Sequence, residues 1–177
     1  MSEATLGLLA PFSHGRGFQE TSVVTSPAAG LGFTITIPGK YYERVQALTF
    51  TLVTGSNAAN RAVLLSVLDG NGNTVLSIPA AAVQTASLTR TYSYLANMSN
   101  CIGPIGGAYL SPAPALFLQP AQSLVVTIGA VDAADQISAI VFNRERFDTG
   151  PAGYEMGATA TLDDRRELLM RLADVLA

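Results

Sequence analysis

The sequence predicts a mainly β protein: an antiparallel, jelly-roll-like β-sandwich of about eight strands, with an extended N-terminal arm and a C-terminal amphipathic helix. Three observations carry this reading. Runs such as Phe33-Thr34-Ile35-Thr36-Ile37 alternate apolar and polar side chains with the period of a strand. Clusters of Gly, Pro and Asn punctuate those runs. Leucines at helical spacing come late, from Thr161 onward. The expected boundaries are an arm over 1–31, the sandwich over 32–147, a Gly-rich link over 148–160 and the helix over 161–177.

The arm is rich in Gly, Ser, Thr, Ala and Pro, with a short strand expected at Thr21–Thr25. Leu8, Leu9, Phe12 and Phe18 stud it, and a solvated tail has no use for such side chains. The arm is therefore expected to lie on a surface. After Phe33–Ile37, Pro38-Gly39 makes a turn and alternation resumes from Tyr42. Leu48, Phe50 and Leu52 then share the face expected to point at the core, opposite Ala47, Thr49 and Thr51. Arg61–Asp69 is apolar on both faces, as expected of a central strand covered on both sides or buried against a partner. The run Asp69-Gly70-Asn71-Gly72-Asn73 is a hairpin turn, because Asn and Asp tolerate positive φ and Gly prefers it.

Thr74–Ile78 returns and stops at Pro79, and Ser87–Leu95 follows with Leu88, Arg90, Tyr92 and Tyr94 on one face. The Gly and Pro density of 96–114 predicts an irregular segment. Leu116–Leu118, Ser123–Ala130 and Gln136–Arg146 complete the strands; in the last, Ile137 and Ala139 are expected opposite Ser138 and Ile140. In the terminal segment, Thr161 with Asp164 resembles a capping box. Leu162, Leu169, Leu172 and Leu176 form an apolar stripe widened by Leu168 and Val175. A helix this short is marginal alone in water, so it is expected to pack on its own domain or on a neighbour.

Composition narrows the function classes. The 177 residues suit one domain. Charged residues make up 13% of the chain, about half the usual share. A surface so thinly charged suits permanent contact with neighbours. Net charge is −3 and Lys40 is the one lysine, so no basic stripe predicts nucleic-acid binding. No apolar run approaches a membrane span, and the N-terminus lacks the pattern of a signal peptide, so no membrane partner is expected.

The chemical motifs fail on missing members. His14, the single histidine, sits in the arm rather than on a rigid scaffold, and with Cys101 as the one cysteine no transition-metal set is expected. Asp69-x-Asn71-x-Asn73 begins like a calcium loop, but Thr74 and Ala80 stand where glycine and glutamate are required. Gly39-Lys40 lacks the earlier glycine of a phosphate loop, since Thr34 is there. Glu43, Asp132 and Asp135 fall at turns or strand ends, where acids are ordinarily solvated. Tyr41 and Tyr109 are the aromatics a sugar-binding module would use. No catalytic residue, metal or cofactor is assigned, and the chain is expected not to be an enzyme.

The segment IPGKYYERVQALTFTLVTGSNAANRAVLLSVLDGNGNTV, with QTASLTRTYSY after it, resembles small β-sandwich virion proteins of tailed bacteriophages. The likeness rests on an aromatic pair before x-Arg-Val, on Phe-Thr-Leu, and on Ala-Asn-Arg before a hairpin strand, over about residues 35–147. It implies a structural component: a capsid decoration (cement) protein on the outside of the shell, working as a homo-oligomer, with a trimer favoured. The implied partners are the major capsid protein or other virion proteins, in a virion assembled in the host cytoplasm. A tail or head-fibre component, or a carbohydrate-binding module contacting the host surface, is the alternative. Contacts are expected from Leu8, Leu9, Phe12 and Phe18 of the arm and from Leu162, Leu169, Leu172 and Leu176 of the helix.

Overall fold

The computed structural model describes residues 18–100, 102–105 and 107–148. Leu8, Leu9, Phe12, His14 and Cys101 lie outside the described residues, as do most of the Gly-rich link and the expected helix with its four leucines.

Among the described residues, eleven strands build two sheets. The first sheet holds β1 (Phe18–Val24), β3 (Tyr41–Val53), β6 (Thr89–Ala96), β7 (Ile102–Ile105), β8 (Ala108–Ala113) and β11 (Gln136–Asp148) in the order β1-β11-β3-β6-β8-β7. The short β9 (Phe117–Leu118) pairs with the start of β3, beside Glu43 and Arg44. The second sheet holds β2 (Phe33–Thr36), β4 (Ala62–Leu68), β5 (Thr74–Pro79) and β10 (Ser123–Gly129) in the order β2-β10-β4-β5. Pairing is antiparallel throughout except between β6 and β8.

The sheets bury one core between them. Leu48, Phe50 and Leu52 of β3 face inward as their alternation requires, against Val63, Leu65 and Val67 of β4. Aromatic rings bind the layers together. Phe33 of β2 meets Phe50 of β3 edge-on at 5.4 Å, Phe50 stacks on Tyr92 at 5.5 Å, and Tyr92 leans on Tyr109 at 5.2 Å. Burial raises the pKa of the Tyr92 and Tyr94 phenols well above their ordinary value, so both stay neutral. Gly32 allows β2 to start where it does: a Cβ there would lie 2.0 Å from the carbonyl oxygen of Val126.

Several expectations need correction. The strand expected at Thr21–Thr25 begins at Phe18 and pairs along its whole length with β11, from Phe18 opposite Arg146 to Val24 opposite Ile140. Residues 18–24, read from composition as arm, are thus an edge strand of the sandwich. The segment 96–114, expected to be irregular, carries β7 and β8. Its prolines do not prevent this because β7 lies at the sheet edge, and β8 beyond Leu110 is paired on one side only.

In β11 the predicted alternation is broken by a bulge at Ala139, whose φ is +50°. The extra residue turns Ile140 to the same face as Ile137, so both are buried while Ala139 is exposed. A second bulge skips Gln46 in β3 and brings Val45 and Leu48 inward together. On β4, Leu64 and Leu68 occupy the outer face half-buried, so the strand is central in its sheet but fully covered on one side only.

Phe50 contacts rings from both layers and is fully buried. Phe50→Ala is expected to lower the unfolding free energy by about 3–5 kcal/mol. A urea titration followed by far-UV circular dichroism measures it.

Candidate interaction surface

At one end of the sandwich the connections between strands are tied to a buried ion pair. Arg61 donates from Nε to Asp135 Oδ2 at 2.9 Å and from Nη2 to Asp135 Oδ1 at 3.1 Å, and both side chains are wholly buried. The remaining guanidinium nitrogen donates to the carbonyls of Asn57 and Ala59, each at 2.6 Å. Asp135 also accepts from the backbone amides of Gly55 and Asp132, both at 2.8 Å. Its own carbonyl accepts from Gly30 N at 2.7 Å. Gln84 adds the β5–β6 connection: it exchanges backbone bonds with Arg61, and its Nε2 donates to the carbonyls of Leu52 and Leu88.

Asp135 is therefore not the solvated turn acid expected from its position. Burial by itself would raise its pKa, but the Arg61 hydrogen bonds and the two backbone amides outweigh burial and hold it below the ordinary carboxylate value. Asp132 is lowered as well, first by the Ala134 amide and then by the Asn57 side chain.

A second charged group lies on the inner face at the opposite end of β3. Glu43 is fully buried, which again corrects the expectation of a solvated acid. Its Oε1 accepts from Arg146 Nε at 2.9 Å and lies 2.7 Å from Arg146 Nη2 and 3.4 Å from Arg144 Nε. Glu20 of β1 holds the same two arginines, at 2.8 Å from Arg144 and 2.6 Å from Arg146. Two carboxylates against two guanidinium groups balance in charge. Their arrangement ties β1, β3 and β11 together and does not single out an acid–base pair.

The other singled-out residues find structural places. Asp69 accepts from the amides of Asn71 and Asn73 and from the Asn73 side chain, and those bonds, the side-chain one foremost, lower its pKa. The run is thus a self-satisfied hairpin turn. Lys40 sits over the Tyr41 ring at 5.0 Å, and Arg146 packs on the same ring at 4.3 Å. Tyr109 is buried beside Tyr92, which removes it from the sugar-stacking role considered for it. Phe18, expected to make contacts from an arm, is half-buried in β1 opposite Arg146. Arg90 donates to the Thr89 carbonyl at the sheet end. Among the described residues, no group of three His, Cys, Asp or Glu side chains gathers as a metal would require.

What remains distinctive is the outer face of the second sheet. None of β2, β4, β5 and β10 contains a charged residue. Their outward positions carry short hydroxyls and aliphatics, with Thr34, Val125, Ser66 and Ser77 forming one row across all four strands. Hydroxyl pairs lace the face, Ser66 to Ser77 at 3.2 Å and Thr36 to Ser123 at 3.1 Å. The arginines and glutamates of the strands all lie in the first sheet. This segregation could have been read from the strand sequences, but only the pairing order shows that the four uncharged strands are neighbours. An uncharged sheet face of short side chains is suited to close contact with another protein surface.

No protein-family model matches the chain, and no curated protein matches it. Among solved structures, a viral particle of infectious bursal disease virus is similar at 12% identity and a TM-score of 0.35. That likeness covers 76% of this chain and 32% of the viral chain. The VP2 protein of the same virus, in T=1 particles, is similar at 10% identity and a TM-score of 0.31, over 73% of this chain and 29% of that one. The chain thus spans about a third of the length of these solved chains.

Asp135→Ala would leave the Arg61 charge buried without its partner, and is expected to cost about 3–5 kcal/mol in a guanidinium titration. The lowered pKa of Asp135 sets the sign of the pH effect. Its contribution is fully present above the unfolded value of about 4 and is lost as pH falls through the lower folded value. Thermal melts from pH 6 downward are expected to show a falling midpoint in the wild type and a shallower fall in Asp135→Asn.

Proposed function

We propose that this chain is a non-enzymatic structural protein of a tailed-phage virion, a capsid decoration protein that binds the outside of the shell as an oligomer. The observation that carries the reading is the charge-free outer face of the second sheet, a surface whose desolvation on contact costs little.

The strand order supports the architectural part. With β7, β8 and β9 set aside as an insertion, the remaining eight strands run 1-8-3-6 in one sheet and 2-7-4-5 in the other. That is the order of a jelly roll made of two Greek keys, an arrangement that serves viral capsid domains among others. Fold alone does not carry function. The tailed-phage assignment draws on the sequence resemblance, and the contact role on the uncharged face. A trimer would let each subunit cover a neighbour's exposed edge strands, β1 and β5 among them.

The test is to add the purified chain to shells that lack it and to measure saturable binding by sedimentation, with electron microscopy of the decorated particles. Val125→Glu, at the middle of the Thr34–Val125–Ser66–Ser77 row, is expected to weaken binding at least tenfold while the circular dichroism spectrum stays unchanged. Deleting residues 1–17, which spares β1, is expected to reduce incorporation as well. Absence of shell binding by the wild-type chain overturns the reading. Full binding by Val125→Glu would remove the second sheet from it.

A further inference from the structure

Each sheet has an edge strand at either end, and the unpaired backbone N–H and C=O groups along an edge invite pairing with another chain. Three of the four edges are blunted. β2 has four residues, β7 has four with Pro104 among them, and β5 is bulged at Val75 and stops at Pro79. β1 is not blunted. It runs seven residues in unbroken register with β11 and contains no proline, no lysine and no bulge. Its one charge, Glu20, is held by Arg144 and Arg146 at 2.8 and 2.6 Å. Val23 keeps 81% of its surface exposed, more than any other large apolar side chain among the described residues. Among the described residues, no strand pairs with the open side of β1.

We infer that this edge is a self-association site: β1 pairs antiparallel with β1 of a second copy of the chain, across a two-fold axis through Thr21, and joins the two first sheets into one. The strand is self-complementary in that register. Phe18 lies opposite Val24 of the second copy, Gln19 opposite Val23, Glu20 opposite Ser22, and Thr21 opposite Thr21. Phe18 and Val24 share the half-buried face of β1, so they make an apolar cross-strand pair at each end of the contact. On the exposed face, Val23 is covered by the stem of Gln19, and two threonines meet at the axis as a favoured pair.

Charge favours the same occupant. Glu20 faces Ser22 rather than its own copy, and its arginines already compensate it, so two copies bring no like charges face to face. The contact uses β1 and leaves β5 open for the ring contacts of the virion reading. It is independent of that reading, since it concerns the chain alone and no shell enters its test.

Sedimentation equilibrium of the full-length chain tests it. At about 100 μM the wild type is expected to approach at least twice the 18.4 kDa of one chain, and to lose mass on dilution. Thr21 is exposed, so Thr21→Lys and Thr21→Glu are expected to leave the circular dichroism spectrum unchanged. Each variant sets two like charges opposite one another at the axis and is expected to weaken association roughly tenfold or more. Mixing the two variants in equal amounts is expected to restore it, because lysine then faces glutamate. That rescue separates pairing at Thr21 from a general loss of stability. Three results would overturn the inference: a single-chain mass for the wild type at about 100 μM, association as strong in both variants as in the wild type, or a mixture no heavier than its components.

Discussion

The fold depends on a charge that cannot be left alone. Arg61 and Asp135 are buried completely, and either without the other would be an ion in a medium that solvates it poorly. Their bidentate geometry, with every guanidinium nitrogen donating and two backbone amides on the carboxylate, satisfies both groups at once. Because the partners of this pair come from the β1–β2, β3–β4 and β10–β11 connections, satisfying it fixes where three loops run. Gln84 attaches the β5–β6 connection to the same knot. A hydrophobic pair of equal volume could fill the space, but it would not set the path of each loop through directed bonds.

The distribution of charge across the molecule follows a related logic. Ion pairs hold the long first sheet together at its far end, where Glu20, Glu43, Arg144 and Arg146 link β1, β11 and β3. The second sheet has no charge on any strand and is held by its apolar inner face and by hydroxyl pairs outside. Ion pairs thus reinforce the packing of one layer, while the other relies on packing and hydroxyl pairs alone. The packed layer is left with an outer surface that resists desolvation least, which is the physical ground for treating it as a contact face.

The alternation in β2, β3 and β4 was legible in the sequence, and Leu48, Phe50 and Leu52 face the core as that alternation demands. The hairpin at Asp69–Asn73 was legible because its side-chain bonds are local. Strands that rely on distant partners were not. β8 has two prolines in or just after it and reads as loop, yet its parallel pairing with β6 makes it a strand. The Ala139 bulge reverses the face of Ile140 through a backbone torsion that an alanine side chain does not announce. Asp135 and Glu43 looked like ordinary solvated acids because their counter-charges, Arg61 and Arg146, are remote in sequence. The open edge of β1 could not be read either, since a strand's place at the end of a sheet is set by distant pairing.

By itself the sequence determined the mainly β class, the places of most strands, the tight hairpin and the low charge of the chain, because period, turn chemistry and composition act over a few residues. Only the tertiary structure decided which strands are neighbours. Sheet order depends on loop closure and on pairing between segments far apart in the chain, as in the hydrogen bond from Arg144 to Glu20, 124 residues away. With the order come the buried charges, the uncharged sheet and the open edge of β1. Each is a property of residues brought together by the fold, and none belongs to any one stretch of the chain.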